Sequence, residues 1–167
     1  MKYKMANLQK LEKKMGEALG LEKATQAAVE HLSTQGLLDK DGMKDKLQTI
    51  KKQDNDHQRD LQELTLLLSG SQGLSNGRVE ETAKETEQKT SEIMKTYLGE
   101  NPDSSEAIEF LCLAEAGGIT HYEVLNAMTR EIKNGKFATK VKAILAEEKK
   151  HLQLCTRLAR QIATSSS

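Results

Sequence analysis

The stretches "QDNDH" at 53–57 and "AEEKKH" at 146–151 each set an acid and an imidazole three positions apart, Asp54 with His57 and Glu148 with His151. On a helix, positions i and i+3 share a face one turn apart, so both groups of a pair can reach a single point. Carboxylate and neutral imidazole are ligand types for divalent transition metals. Both pairs interrupt an apolar stripe. Asp54 and His57 stand between Met43, Leu47, Ile50 and Leu61, Leu64, Leu68. Glu148 and His151 stand between Val141, Ile144 and Cys155, Leu158, Ile162.

Two further acids break apolar stripes in the same way. Glu22 follows Leu8, Leu11, Met15 and Ala18 and precedes Thr25, Val29 and Leu32. Glu115 follows Ile108 and Leu111 and precedes Tyr122, Leu125 and Ile132. The interval from Glu22 to Asp54 differs from that between Glu115 and Glu148 by one residue. In two antiparallel hairpins with short turns, such intervals put all these groups at one height. No Lys or Arg interrupts the four stripes near that height. An unpaired buried carboxylate costs several kcal/mol, so four of them need protons or cations. Two divalent cations would balance the charge. Taken alone, an acid-x-x-His pair on a helix reads as a solvated face. The other reading of the whole set is a hydrogen-bonded polar layer that fixes helix register.

The elements that must hold these groups follow from the 3.6-residue period. Core helices are expected over about 6–34, 41–68, 104–133 and 137–163, with a polar crossover helix over about 79–98 that covers the bundle. "TQGLLDKDG" and "NGK" are short turns, and "SGSQGLSNG" is a long break. Asp103 and Glu106 form a capping box at the start of the third core helix, and residues 164–167 read as a disordered tail. The expectation is one all-α domain over 1–167, a four-helix bundle with a long crossover, in which the second and third core helices run parallel.

Composition agrees with helices. The chain has 167 residues, 30% of them charged and only 3% aromatic, with one Pro and no Trp. Its 25 basic residues balance 25 acidic ones, which argues against nucleic acid or an anionic membrane as a partner. No apolar run is long enough to span a bilayer, and the N-terminal stretch lacks a secretion signal. Cys112 and Cys155 make no disulfide framework and read as buried free thiols. The expected setting is the cytoplasm.

An acid on the first and third core helices, with acid-x-x-His on the second and fourth, resembles the ferritin-like di-metal carboxylate superfamily of ferritins, bacterioferritins and rubrerythrins. The likeness covers residues 22 to 151. It implies a ferritin-like four-helix bundle and two divalent metal ions per chain, iron ahead of manganese. Glu22 and Glu115 would be terminal ligands, Asp54 and Glu148 would bridge, and His57 and His151 would each take one metal. Position 54 departs from the family, which has Glu there; the shorter Asp bears on occupancy of one metal position. The resemblance further implies oxidoreductase activity on ferrous ion, or on dioxygen or hydrogen peroxide as a small oxidant. A homodimer is expected. Cage-type storage is not, because only "ATSSS" follows the last helix. "THYEV" at 120–124 and "LAEEK" at 145–149 resemble small bacterial ferritin-like proteins linked to stress, which would make Glu123 a rival for Glu115. The alternative to all of this is a non-catalytic helical interaction or stress protein with a polar core layer.

Neighbours of the main set carry open readings. His31 reads as a boundary histidine. His121, Tyr122 and Glu123 are candidates for hydrogen bonds behind the ligands; for Tyr122 a radical role and a packed core role are the other readings. Gly117-Gly118, inside a helix where each glycine costs about 1 kcal/mol against Ala, means either open space beside the metals or close helix packing.

Overall fold

The computed structural model describes residues 5–40 and 42–165. They form five helices: α1 (Met5–Thr34), α2 (Met43–Gln72), α3 (Asn76–Leu98), α4 (Ser104–Ile132) and α5 (Gly135–Thr164). Among the described residues there is no strand, and no helix is long and apolar enough to cross a membrane.

Local chemistry sets the helix ends. The Asp103 carboxylate accepts from the Glu106 N–H at 2.8 Å, and the Glu106 carboxylate accepts from the Asp103 N–H at 3.0 Å. This is the expected reciprocal cap. Asn134 caps α5 by accepting from the Phe137 N–H at 3.0 Å, so α5 begins at Gly135, ahead of the expected 137. At its other end α5 includes Thr164, and the Ser165 N–H bonds back to Ile162 O. The expected tail is therefore shorter, and 166–167 lie outside the described residues.

The expected break after residue 68 is also too long. α2 runs on through Gly70 to Gln72, and the connection to α3 is only 73–75. Gly70 is exposed and keeps helical geometry, at a cost of about 1 kcal/mol that burial of Leu68 and Leu74 outweighs. Gly73, at φ +78°, is the residue that stops the helix, and its N–H reaches the carbonyls of Leu68 and Ser69. The expected start of α2 at Asp41 lies outside the described residues.

Helix directions follow from what packs together. One apolar cluster joins the N-terminal halves of α1 (Leu11, Met15) and α5 (Phe137, Val141) to the C-terminal halves of α2 (Leu64, Leu68) and α4 (Leu125, Ile132). A second joins the opposite halves: Val29 and Leu32, Leu158, Leu47 and Ile50, Ile108 and Leu111. The core helices thus run up, down, down, up, and α2 lies parallel to α4. Between the two clusters sits a polar layer.

α3 packs chiefly along α1. Two glycines one turn apart make the seam. A Cβ at Gly16 would stand 2.5 Å from Thr82 Cβ and 2.7 Å from Val79 O, and one at Gly20 would meet Ala83 O and Thr86 Cβ. Glu12, buried beside this seam, accepts from the Ser75 N–H at 2.9 Å and from Arg78 Nη1 at 3.4 Å, fixing the start of α3. Gly20→Ala is expected to lower unfolding free energy by about 1–3 kcal/mol by overpacking. Gly70→Ala, where nothing lies within 4 Å of the new methyl, is expected to raise it by about 0.5–1 kcal/mol. Urea denaturation midpoints check both.

Candidate metal centre

The polar layer consists of Glu22 from α1, Asp54 and His57 from α2, Glu115 from α4, and Glu148 and His151 from α5. None is more than 5% exposed. They fall into two groups whose ligand atoms lie within 4.8 Å of one another: Glu22, Asp54, His57 and Glu148; and Asp54, Glu115, Glu148 and His151. Asp54 and Glu148 belong to both. These buried acids and imidazoles could hold metal ions.

Both imidazoles turn Nδ1 inward. His57 Nδ1 lies 3.1 Å from Glu148 Oε1, 3.3 Å from Glu22 Oε1 and 3.9 Å from Asp54 Oδ1. His151 Nδ1 lies 3.3 Å from Asp54 Oδ1, 3.6 Å from Glu115 Oε2 and 4.0 Å from Glu148 Oε1. The two rings stack at 5.7 Å with 24° between their planes.

The outer nitrogens are held crosswise. His57 Nε2 meets Glu147 Oε2 at 3.0 Å, and His151 Nε2 meets Gln53 Oε1. Each partner directly precedes the acid of the opposite pair. With Nε2–H donating outward, the neutral ring keeps its Nδ1 lone pair for the centre. The two imidazoles are backed unequally, one by a carboxylate and one by an amide. Glu147 is 40% exposed, so changing it threatens the site more than the fold. Glu147→Ala is expected to weaken metal binding in the His57 group about 10–100-fold and to spare the His151 group. Glu147→Gln should restore most of the loss, since its amide oxygen still accepts. A metal titration that resolves two steps checks this.

Burial pushes the Glu22 and Glu115 carboxyls well above the usual range, and the charge of Glu148 pushes them further. Burial likewise raises Asp54, against the pull of the His151 imidazole. Glu148 goes the other way, to about 2. Burial opposes this, but bonds from His57, Glu22 and Glu115 all favour its carboxylate. Burial alone would lower both imidazoles; carboxylates beside them, chiefly Glu148 for His57 and Asp54 for His151, raise both instead. Without cations, these shifts favour keeping protons within the layer.

That proton network leaves gaps. Asp54 Oδ1, Asp54 Oδ2 and His151 Nδ1 are buried and make no hydrogen bond. Such groups cost about 1–3 kcal/mol each. All three belong to the ligand groups, and bound cations would satisfy them, so the donor set fits metal ions.

Tyr122 is fully buried and donates to Glu22 Oε1 at 2.8 Å, with its ring edge-on to His57 at 6.4 Å. Burial, then the Glu22 charge, holds its hydroxyl well above the ordinary phenol range. It is thus both a packed core residue and a direct support of one carboxylate.

His121 and Glu123 are not brought to the centre. They flank Tyr122 on α4, so the rotation that turns Tyr122 inward turns both away. His121 donates from Nδ1 to Gly117 O at 2.8 Å and faces Glu17, while Glu123 is exposed and pairs with Lys149 at 2.9 Å. Glu115, not Glu123, reaches the cluster. His31 is exposed. Cys155 is buried, Cys112 is half-buried, both are free, and burial raises both thiols.

α4 stays an unbroken α-helix through Gly117-Gly118. A Cβ on Gly118 would lie 2.9 Å from Glu148 Oε2, so this glycine makes room for the carboxylate. Gly118→Ala is expected to weaken metal binding while leaving stability unchanged or raising it by up to about 1 kcal/mol, because Ala favours the helix. Metal titration and thermal melts of one sample separate the two effects.

Gln53 and Glu147, which back the imidazoles, and Glu12, which fixes the start of α3 away from the centre, are buried or half-buried polar partners that the sequence pattern did not single out. Glu12 had a signal, since it continues the stripe Leu8, Met15, Leu19, Glu22 at helical spacing. Gln53 and Glu147 had only their adjacency to the acids.

Comparison with protein-family models, with curated proteins and with solved structures gives no match to this chain. Fold and site together define an all-α bundle with a buried carboxylate–imidazole cluster that could bind metal.

Proposed function

We propose that this chain is a ferritin-like di-metal carboxylate protein that oxidises ferrous ion or reduces dioxygen or hydrogen peroxide. Its centre would hold two divalent cations, iron ahead of manganese. The observation that carries the reading is the sharing of Asp54 and Glu148 between two four-residue groups, each completed by its own Glu and His. Glu22 and His57 would hold one ion, Glu115 and His151 the other, with Asp54 and Glu148 between them. The same ligand types and helix positions serve the carboxylate-bridged di-iron and di-manganese bundles.

Bound iron would supply electron transfer to a small oxidant. The chain's own residues would do the rest. Glu147 and Gln53 fix the imidazoles with Nδ1 inward. Tyr122 orients Glu22 and keeps its proton. The two apolar clusters exclude water from either side of the layer. Asp54 has a shorter arm than the Glu of the family pattern, yet it belongs to both groups, which supports its role between the ions.

Elemental analysis after loading, followed by an oxidation assay, tests the reading. The expected result is about two equivalents of iron per chain. On exposure of the anaerobic ferrous protein to air, near-ultraviolet absorbance should rise as dioxygen is consumed. A bundle that takes up no metal, and melts at the same temperature with chelator or added metal, would instead be a non-catalytic protein with a register-setting polar layer.

A further inference from the structure

We propose that a pocket between α1, α3 and α4 admits a small apolar organic molecule to the carboxylate side of the polar layer. The metal proximity of that ligand rests on the metal-centre reading above; the pocket itself does not. The cavity measures about 270 Å³. Its walls are mostly apolar, among them Ala24, Ala28, Met94 and Phe110, and its floor is Thr25 with Ala114. Thr25 and Ala114 also line a second void of about 10 Å³, whose other walls include Glu22, Glu115 and Glu148. Two small side chains therefore separate the pocket from three members of the cluster.

The two spaces differ in what they can hold. The inner void, at about 10 Å³, is at the lower bound of what a single water needs. A dry apolar cavity of about 150 Å³ accepts benzene, so the outer one has room for roughly ten non-hydrogen atoms.

The lining decides between an organic molecule and a cation. Among the described residues that line the outer pocket Glu87 is the one acid, and His31 and Lys95 line it too. Lys95, on the same wall as Glu87, disfavours a hydrated cation, which would also have to shed water past Ala24, Ala28, Met94 and Phe110. At the floor the Thr25 hydroxyl hydrogen is given to Leu21 O at 2.8 Å, so the floor offers a polar guest an acceptor but no side-chain donor. An apolar molecule loses nothing on the same path and gains burial.

Fluorobenzene is a suitable probe, observed by fluorine NMR. With metal-free protein, saturable broadening of its resonance is expected. The broadening should disappear in Ala24→Phe, which fills the pocket from α1. It should also disappear in Ser91→Phe, which fills it from the half-buried face of α3 and bears less on folding. Protein loaded with cobalt(II) should relax the bound probe faster than protein loaded with zinc. The proposal is overturned by absence of saturable binding to metal-free protein. Binding unchanged in a folded Ser91→Phe variant overturns it too, as does equal relaxation in cobalt and zinc forms shown to hold two ions. If the protein takes up no cobalt, the metal-centre reading falls. The pocket then stands or falls on the metal-free binding and its loss in the variants.

Discussion

Glu148→Ala is expected to weaken metal binding about 100-fold in both groups at once, whereas Glu22→Ala or Glu115→Ala should each weaken it in one. The reason is membership: Glu148 supplies a ligand atom to both groups, Glu22 and Glu115 to one each. Four-ligand protein sites reach apparent binding energies of about 10–16 kcal/mol, so one ligand in four carries about 3 kcal/mol, or roughly 100-fold in affinity. Anaerobic titration with ferrous ion should show two equivalents in the wild type and one in Glu22→Ala. Glu148→Ala should show both positions weakened about 100-fold. Asp54→Ala should copy Glu148→Ala, because it too is shared. If all four variants lost the same amount, the shared-carboxylate arrangement would be wrong.

Metal loading should raise the melting temperature by about 10–20 °C, and by more as pH rises. At 100 times the dissociation constant each ion adds about 2.7 kcal/mol, and a domain of this size gains about 2–4 °C per kcal/mol. The pH trend follows from protons that must leave. Glu22 and Glu115 hold theirs well above the usual carboxyl range, so cations compete with those protons less as pH rises.

The metal-free protein should show the opposite slope. Above the ordinary carboxyl pKa of about 4.3 the unfolded chain has lost these protons while the folded chain keeps them, so stability falls with rising pH. The raised values of His57 and His151 act in the same sense, since their contribution is full below the unfolded imidazole pKa and is lost as pH climbs through the folded one. Glu148 opposes this only in acid, where its contribution is lost as pH falls toward about 2. Melting curves at several pH values, with chelator and with metal, check both slopes.

The six members of the polar layer were legible because each breaks an apolar stripe, and the breaks fall at matching intervals along two hairpins. Helical period resolves which face a residue is on. It does not resolve what covers that face, and the misses trace to this. Gly16 and Gly20 are spaced one turn apart, but only the packing of α3 on α1 explains why neither has a side chain. Gln53 and Glu147 look like ordinary solvated neighbours until the opposite helix brings an imidazole to each. Glu123 stood as a rival for Glu115 because the pentapeptide around it, at 120–124, resembled a family pattern. The inward turn of Tyr122 decides the matter, since adjacent helix positions point about 100° apart. Gly70 read as a breaker because composition marks glycine, whereas only a positive φ, here at Gly73, ends the helix.

The division of the apolar interior into two clusters has a mechanical consequence. Each half on its own is a small core, joined to the other only by continuous helices and a waist of acids and imidazoles. A waist that leaves three buried atoms unsatisfied is the expected place for local opening of the bundle. Amide hydrogens flanking residues 22, 54, 115 and 148 of the metal-free protein should then exchange faster than those in the centre of either cluster. Cations bound in the waist would be expected to couple the two halves into a single cooperative body.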